Sequence, residues 1–216
     1  MALPGELPLI PLNVVLFPGM PLPLHIFEER YKLMINRCVA DGRPFGVALI
    51  RSGSEVGGPA MPHPVGTTAV VTHVDRLAEG RLNIATVGCE RYRLVGIARR
   101  TPYLVGRIEP YPLVEDVDAA SDCSPLRDLL ARYVERLARL VREDYQGDCL
   151  PEDPLTLACL AGIVLQVGHA EKQRLLEAAS LSRLLSAEQV LLRRELCLLD
   201  FMARGEPAPA RQFSSN

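Results

Sequence analysis

Tryptophan is missing from this chain and lysine nearly so: Lys32 and Lys172 are the only lysines beside an otherwise arginine-based positive charge. Aromatic residues make up 5% of the 216, too few for the stacking surface that single-stranded nucleic acid uses. Charge of neither sign is in excess, with a formal net of −2, so no field draws in a polyanion or an acidic membrane. The six cysteines, at positions 38, 89, 123, 149, 159 and 197, never approach within a C-x-x-C spacing. That excludes a zinc knuckle and a disulfide framework, and leaves free thiols, mostly buried. The four histidines, His25, His63, His73 and His169, have no Asp, Glu or Cys at metal spacing, so no metal site is expected.

Long apolar runs are also lacking. The longest, Leu155 to Val167, is broken by Thr156 and Gln166 and falls short of the roughly 18 residues a membrane span needs, so it reads as a buried helix. The N-terminus has no basic segment followed by an apolar stretch, and the expectation is a cytoplasmic protein without a membrane partner. No G-x-x-x-x-G-K-[ST] loop is present to cradle ATP, and no cofactor motif of another kind appears.

What is present divides near Glu115–Ser121, a polar, turn-like stretch, giving a β-rich unit over 1–118 and a helical unit over 119–216. Leu7–Leu12 is short, apolar and flanked by Pro8 and Pro11, which predicts an edge strand. Pro18-Gly19 breaks the chain, and Pro21 and Pro23 hold an extended crossover. Phe27, Tyr31, Met34, Ile35 and Cys38 then recur at helical spacing, stopped by Gly42 and Pro44. Phe45–Ile50 is a hydrophobic run, and Ser52–Pro64 reads as an exposed loop. Thr67–Leu77 and Arg81–Val87 form a hairpin about Ala78-Glu79-Gly80, Gly88 marks a bend, and Glu90–Ile97 and Tyr103–Ile108 complete the strands.

Beyond the boundary the periodicity is helical. Ser124 caps and Pro125 opens a helix whose Leu126, Leu130, Tyr133, Leu137 and Leu140 make a seam. Asp153-Pro154 repeats the start signal, a short helix covers Ala170–Ala178, and a long one covers Leu181–Arg204. The end of the chain, 210–216 above all, is expected to be a frayed tail.

Four segments, in order, resemble one family. The stretch Leu7–Tyr31, the pieces Val65-Gly66-Thr67 and Gly80–Ile84 with Gly88-Cys-Glu-Arg-Tyr-Arg93, the run Pro151–Ala158 and the run Glu171–Glu177 are similar to the Lon substrate-binding domain. The resemblance implies an α+β fold: a six-stranded pseudo-barrel of the pseudouridine-synthase-associated (PUA-like) type with one helix, followed by a C-terminal helical bundle. It implies polypeptide binding, independent of ATP and without bond cleavage, since the ATPase loop and a Ser-Lys protease dyad in its family context are missing. Unfolded or extended polypeptide is the implied partner, with a separate protease or chaperone as a further one. The contacts would be Phe17, Pro18, Met20, Pro21 and Leu22, where methionine adapts to varied clients and proline lowers the ordering cost. Pairing through the edge strand Leu7–Leu12 is a second route.

Two other classes are weighed against this one. A PUA-like domain binding RNA or a small ligand would use Arg91, Arg93, Arg99, Arg100 and Arg107, but Glu90 and Glu109 interrupt them and aromatics are scarce. A hydrolase would need His25 or Cys38, yet both sit among apolar neighbours, where a structural role is the commoner fate.

Overall fold

The protein is described from a computed structural model that covers residues 5–55, 60–115, 123–141 and 150–204. Residues 116–121 of the expected boundary, 56–59 of the expected loop and the tail beyond Arg204 lie outside the described residues.

Strand β1 (Glu6–Leu12) is not an edge. It pairs antiparallel with β7 (Val105–Pro110) through Glu6–Pro8 and parallel with β3 (Phe45–Ser52) through Leu9–Leu12. Its prolines are tolerated because peptide groups alternate sides along a strand. Leu9 donates its N–H to Leu104 on the β7 side, which turns Pro8 toward β3 where that pairing is only beginning. Pro11 turns toward β7 after that pairing has ended.

The expected crossover is itself a strand, β2 (Pro21–Ile26), laid antiparallel on the first half of β6 (Leu82–Arg99). Met20 accepts from the Gly88 N–H, so by the same alternation Leu22 and Leu24 face β6 and the missing donors of Pro21 and Pro23 fall on the open side. Helix α1 (Glu29–Asp41) follows and ends at Gly42, whose φ of 61° closes it in the left-handed region. Met34, Ile35 and Cys38 are its buried face, whereas Phe27 precedes the helix and is 47% exposed, its ring stacked on His25.

A two-residue strand, β4 (Met61–Pro62), pairs with the end of β3 inside the expected loop. Strand β5 (Val65–Arg76) and β6 make the hairpin, joined by a 3-10 turn at Ala78–Gly80 in which both Glu79 and Gly80 have positive φ. The two strands expected on either side of Gly88 are one continuous β6, because a bulge absorbs the bend: Thr67 and Ala69 on β5 face Arg91 and Gly88, leaving one extra residue on β6.

Pairing runs β1-β7-β6-β5-β3 and returns to β1, a ring of five strands, with β2 attached to β6 and β4 to β3. Among the described residues there are seven strands, against the six expected for the barrel. Tyr92 is fully buried among the ring strands and donates its hydroxyl to the Val47 carbonyl at 3.3 Å. Gly46 and Gly66 make room for it, since a Cβ at either would lie within 2.9 Å of that hydroxyl.

Four helices follow: α2 (Ser124–Val141), α3 (Pro154–Val164), α4 (His169–Leu176) and α5 (Leu181–Arg204). Asp153 caps α3 by accepting from Thr156 N–H at 2.8 Å. Their core is not separate from the strands. Leu126, Leu130, Tyr133, Leu157, Ala161 and Leu192 form one cluster with Val15, Phe17, Leu49 and Val65 of the β-rich part. Polar bonds reinforce the seam: Gln173 Nε2 donates to Val65 O at 3.0 Å, and Tyr111 Oη donates to Glu177 O at 3.0 Å.

Candidate apolar cleft at the strand and helix junction

The tight turn between β1 and β2 sets the position of the site. Pro18 fixes φ, Gly19 takes φ of 80°, and Met20 N–H returns to Phe17 O at 3.1 Å. The turn is clamped to the β6 bulge, with Gly19 donating to Gly88 O at 2.8 Å and Gly88 donating to Met20 O at 2.9 Å. A Cβ on Gly88 would stand 2.3 Å from Phe17 O, so only glycine allows this approach.

Next to this clamp opens a cleft of about 510 Å³. It is lined by Pro18 and Gly19 of the turn, Cys89 to Arg91 of the bulge, Pro110 to Leu113 with Glu115, and a wall of Leu155, Thr156 and Cys159 from α3. Its volume lies within the range of ordinary ligand pockets, and its lining is chiefly apolar.

Arg91 is the basic side chain of the cleft, whose lining also includes the carboxylates Glu90 and Glu115, and is 6% exposed. Its Nη1 donates to Leu176 O at 2.6 Å and Ala178 O at 2.8 Å, satisfying carbonyls at the end of α4. Its guanidinium lies over the Tyr111 ring at 4.8 Å, and that of Arg93 lies over the same ring at 4.3 Å. Burial lowers the Arg91 pKa, with Tyr111 and Cys159 opposing that shift. Arg91 thus fastens strands to helices at the base of the cleft.

Cys159 in the cleft and Cys38 on α1 are not activated as nucleophiles. Burial, and then Glu188 nearby, push Cys159 up to about 11, while burial followed by Asp41 pushes Cys38 up to about 11. Both are held as thiols at neutral pH. His25 Nδ1 is 2.7 Å from Asn83 Oδ1, a cross-strand contact between β2 and β6. Among the described residues, no group of three or more His, Cys, Asp or Glu is arranged to hold a metal ion. Nor is any described helix long and apolar enough to cross a membrane.

The five residues expected to touch a client are separated by the fold. Pro18, with Gly19, lines the cleft. Phe17 does not face a client: it is 2% exposed and its ring fills the notch at Gly162, where a Cβ would be 2.5 Å from Phe17 Cε1. Met20 is half-buried between the helical cluster and the α1 cluster. Pro21 is exposed and Leu22 half-buried, both leading away along β2. The Pro110–Leu113 side and the α3 wall are brought in from more than 90 residues away. The one local sign of them was that α3 is apolar on every side, so it had to be covered by more than its own bundle.

The model of the "ATP-dependent protease La (LON) substrate-binding domain" family matches residues 6–194. The chain belongs to the Lon substrate-binding domain family. It is 30% identical to the Lon protease of Anaeromyxobacter dehalogenans, over 98% of this chain and 26% of that protein, and 28% identical to Lon protease 2 of Myxococcus xanthus over the same shares. The chain therefore spans about a quarter of the length of the curated relatives it matches. Among solved structures, it is similar to a Lon N-terminal domain protein from Xanthomonas campestris, with a TM-score of 0.63, 26% identity, and coverage of 84% of this chain and 95% of that one. The N-terminal domain of a Mycobacterium avium complex Lon protease shares the fold at a TM-score of 0.67 and 20% identity, covering 87% and 98% of the two chains. The region shared with these Lon sequences is the substrate-binding part.

Proposed function

We propose that the chain is a polypeptide-binding module that captures apolar, extended protein segments without ATP and without cleaving them. The observation that carries this reading is the open apolar cleft at the strand and helix junction, within a family whose described role is substrate binding. Pro18 is the contact kept from the sequence expectation, and Leu155, Leu113, Pro110 and Pro112 join it. Met20, Pro21 and Leu22 extend the apolar track along β2, and the cytoplasm is the compartment in which such a module meets unfolded clients and a separate protease or chaperone.

Affinity follows from area. A client burying roughly 300 Å² of apolar surface gains about 7 kcal/mol gross at about 25 cal/mol per Å². Association and ordering consume most of that gain, so binding is weak and tolerant of sequence. Three of the five arginines that a PUA-like RNA binder would use lie over tyrosine rings. Arg91 and Arg93 cover Tyr111, and Arg99 lies over Tyr103 at 5.7 Å. This favours apolar capture over phosphate contact.

The test is a titration of a labelled, reduced and alkylated unfolded protein, followed by anisotropy. Leu155→Glu places a carboxylate in the cleft and in the first turn of α3, where the helix dipole accepts it, so the fold is preserved. Expected is a loss of affinity of roughly tenfold or more, with little dependence on salt. Steep weakening with salt would mark phosphate-type contacts instead, and no binding by the unaltered chain would end the proposal.

A further inference from the structure

Beyond the five-stranded ring, β2, β6 and β5 continue as a three-stranded arm, because Leu82–Val87 of β6 pairs with β2 on one side and with Val70–Arg76 of β5 on the other. Its two edges are built differently. The β2 edge presents Pro21 and Pro23 outward, a device that blocks strand addition. The β5 edge has no proline and reads Val70-Val-Thr-His-Val74, four of five residues being β-branched.

The peptide groups on that second edge can be assigned. Leu77 donates to Arg81 O at 2.8 Å, so by alternation Asp75 and His73 face β6 while Val74 and Arg76 face outward. Thr72 is the extra residue of a bulge, and on its other side Val70 faces β6 and Val71 faces outward. Pairing of β5 with β3 covers Thr67–Ala69 and stops there. Among the described residues, no hydrogen bond reaches the outward N–H or C=O of Val71 or Val74.

A groove of about 340 Å³ follows this edge, bounded across from Val70–Val74 by Cys38, Val39, Gly42 and Arg43 at the end of α1. Arg43 is its one permanently charged side chain, and among the described residues no carboxylate lies within 4.0 Å of the guanidinium. His73, the other titratable group on the β5 side, is 2.9 Å from Asp75.

We infer that this edge binds an extended polypeptide segment carrying a carboxylate, which adds to β5 as a further strand and sets its acidic side chain against Arg43. Backbone pairing at Val71 and Val74 supplies tolerance of sequence, and Arg43 supplies the preference for an acidic residue. The inference rests on the polypeptide-binding reading but uses a surface separate from the apolar cleft.

Val74→Pro removes one outward N–H and no internal bond, copying the arrangement already present at Pro21 and Pro23. The probe is a labelled Val/Thr-rich peptide with one glutamate, followed by anisotropy. Beside it run the same peptide N-methylated at alternate residues and one with glutamine for glutamate. Expected are a weakening of roughly tenfold on Val74→Pro or on N-methylation, a smaller loss on Arg43→Gln or with the glutamine peptide, and no change on Val74→Ala. Amide exchange at Val71 and Val74 should slow when peptide is bound. If Val74→Pro does not fold, the N-methylated peptide on the unaltered chain decides the matter. Unchanged binding of the N-methylated peptide, or binding abolished by Leu155→Glu and indifferent to Val74→Pro, overturns the inference while leaving the cleft reading in place. Self-association that Val74→Pro abolishes, with no peptide binding, gives the edge to a second copy and also overturns it.

Discussion

The strand half and the helical half solve burial in different ways. In the strand half, the buried hydroxyls have partners: Thr67 Oγ1 donates to Leu16 O at 2.6 Å, Thr86 Oγ1 to Leu22 O at 2.7 Å, and Tyr92 to Val47 O. In the helical half, Glu188 is 0% exposed and neither carboxylate oxygen has a partner among the described residues. The lesson concerns specification. Strands must fix register over long separations, and wrong pairings are excluded by bonds that form in one arrangement only. Helices get their ladder from their own backbone, so an apolar seam is enough and a buried carboxyl can persist at a cost to stability.

The largest test of that contrast is at the seam between halves. Phe17→Ala empties the notch at Gly162 and should cost about 3–5 kcal/mol, read by denaturant unfolding. If the halves were independent, the loss would appear in a separate early transition; a single cooperative shift is expected, because Phe17 belongs to the same cluster as Leu157 and Leu192. Arg91→Met comes next. It strips the donors from Leu176 O and Ala178 O and should cost about 2–4 kcal/mol, visible as a lower midpoint with a slope that stays the same.

The smallest effect runs the other way. Glu188→Leu should stabilise the chain by about 1–3 kcal/mol at neutral pH, since it removes an unpartnered polar group from the core. The sign with pH follows from burial, which raises the Glu188 pKa well above its ordinary range. A carboxyl that holds its proton more tightly when folded carries no ionisation penalty below its unfolded pKa of about 4.3. It costs progressively more as pH climbs from there to the folded value. The advantage of the leucine variant should therefore be small in acid and widen upward, and a gap constant across pH would refute the assignment.

Much of the helical structure could be read from residues alone. Asp153-Pro154, Ser124-Pro125 and Gly42 act on the next few peptide groups, and each begins or ends a helix where expected. The strand half was legible in its turns and less so in its neighbours. Pro8 and Pro11 look like edge markers until two different partners cover different ends of β1. Pro21 and Pro23 look like a crossover until β6 is long enough to accept β2 beside β5. Of the expected contacts, Pro18 lines the cleft and Phe17 is in the core, a distinction made by Gly162, which lies 145 positions further along. Side-chain chemistry was available from the start, but the partner that claims it depends on long-range closure.

The ring of Phe17 set into Gly162 carries one more consequence. It rivets the Pro18-Gly19 lip to α3, which also lines the cleft, so these two parts of the lining are held together. Under the proposed capture, a cleft built this way stays open over its guest, and the guest does the adapting. Arrival is then governed by how often a pliable segment presents itself, and discrimination between guests resides in how soon each one leaves.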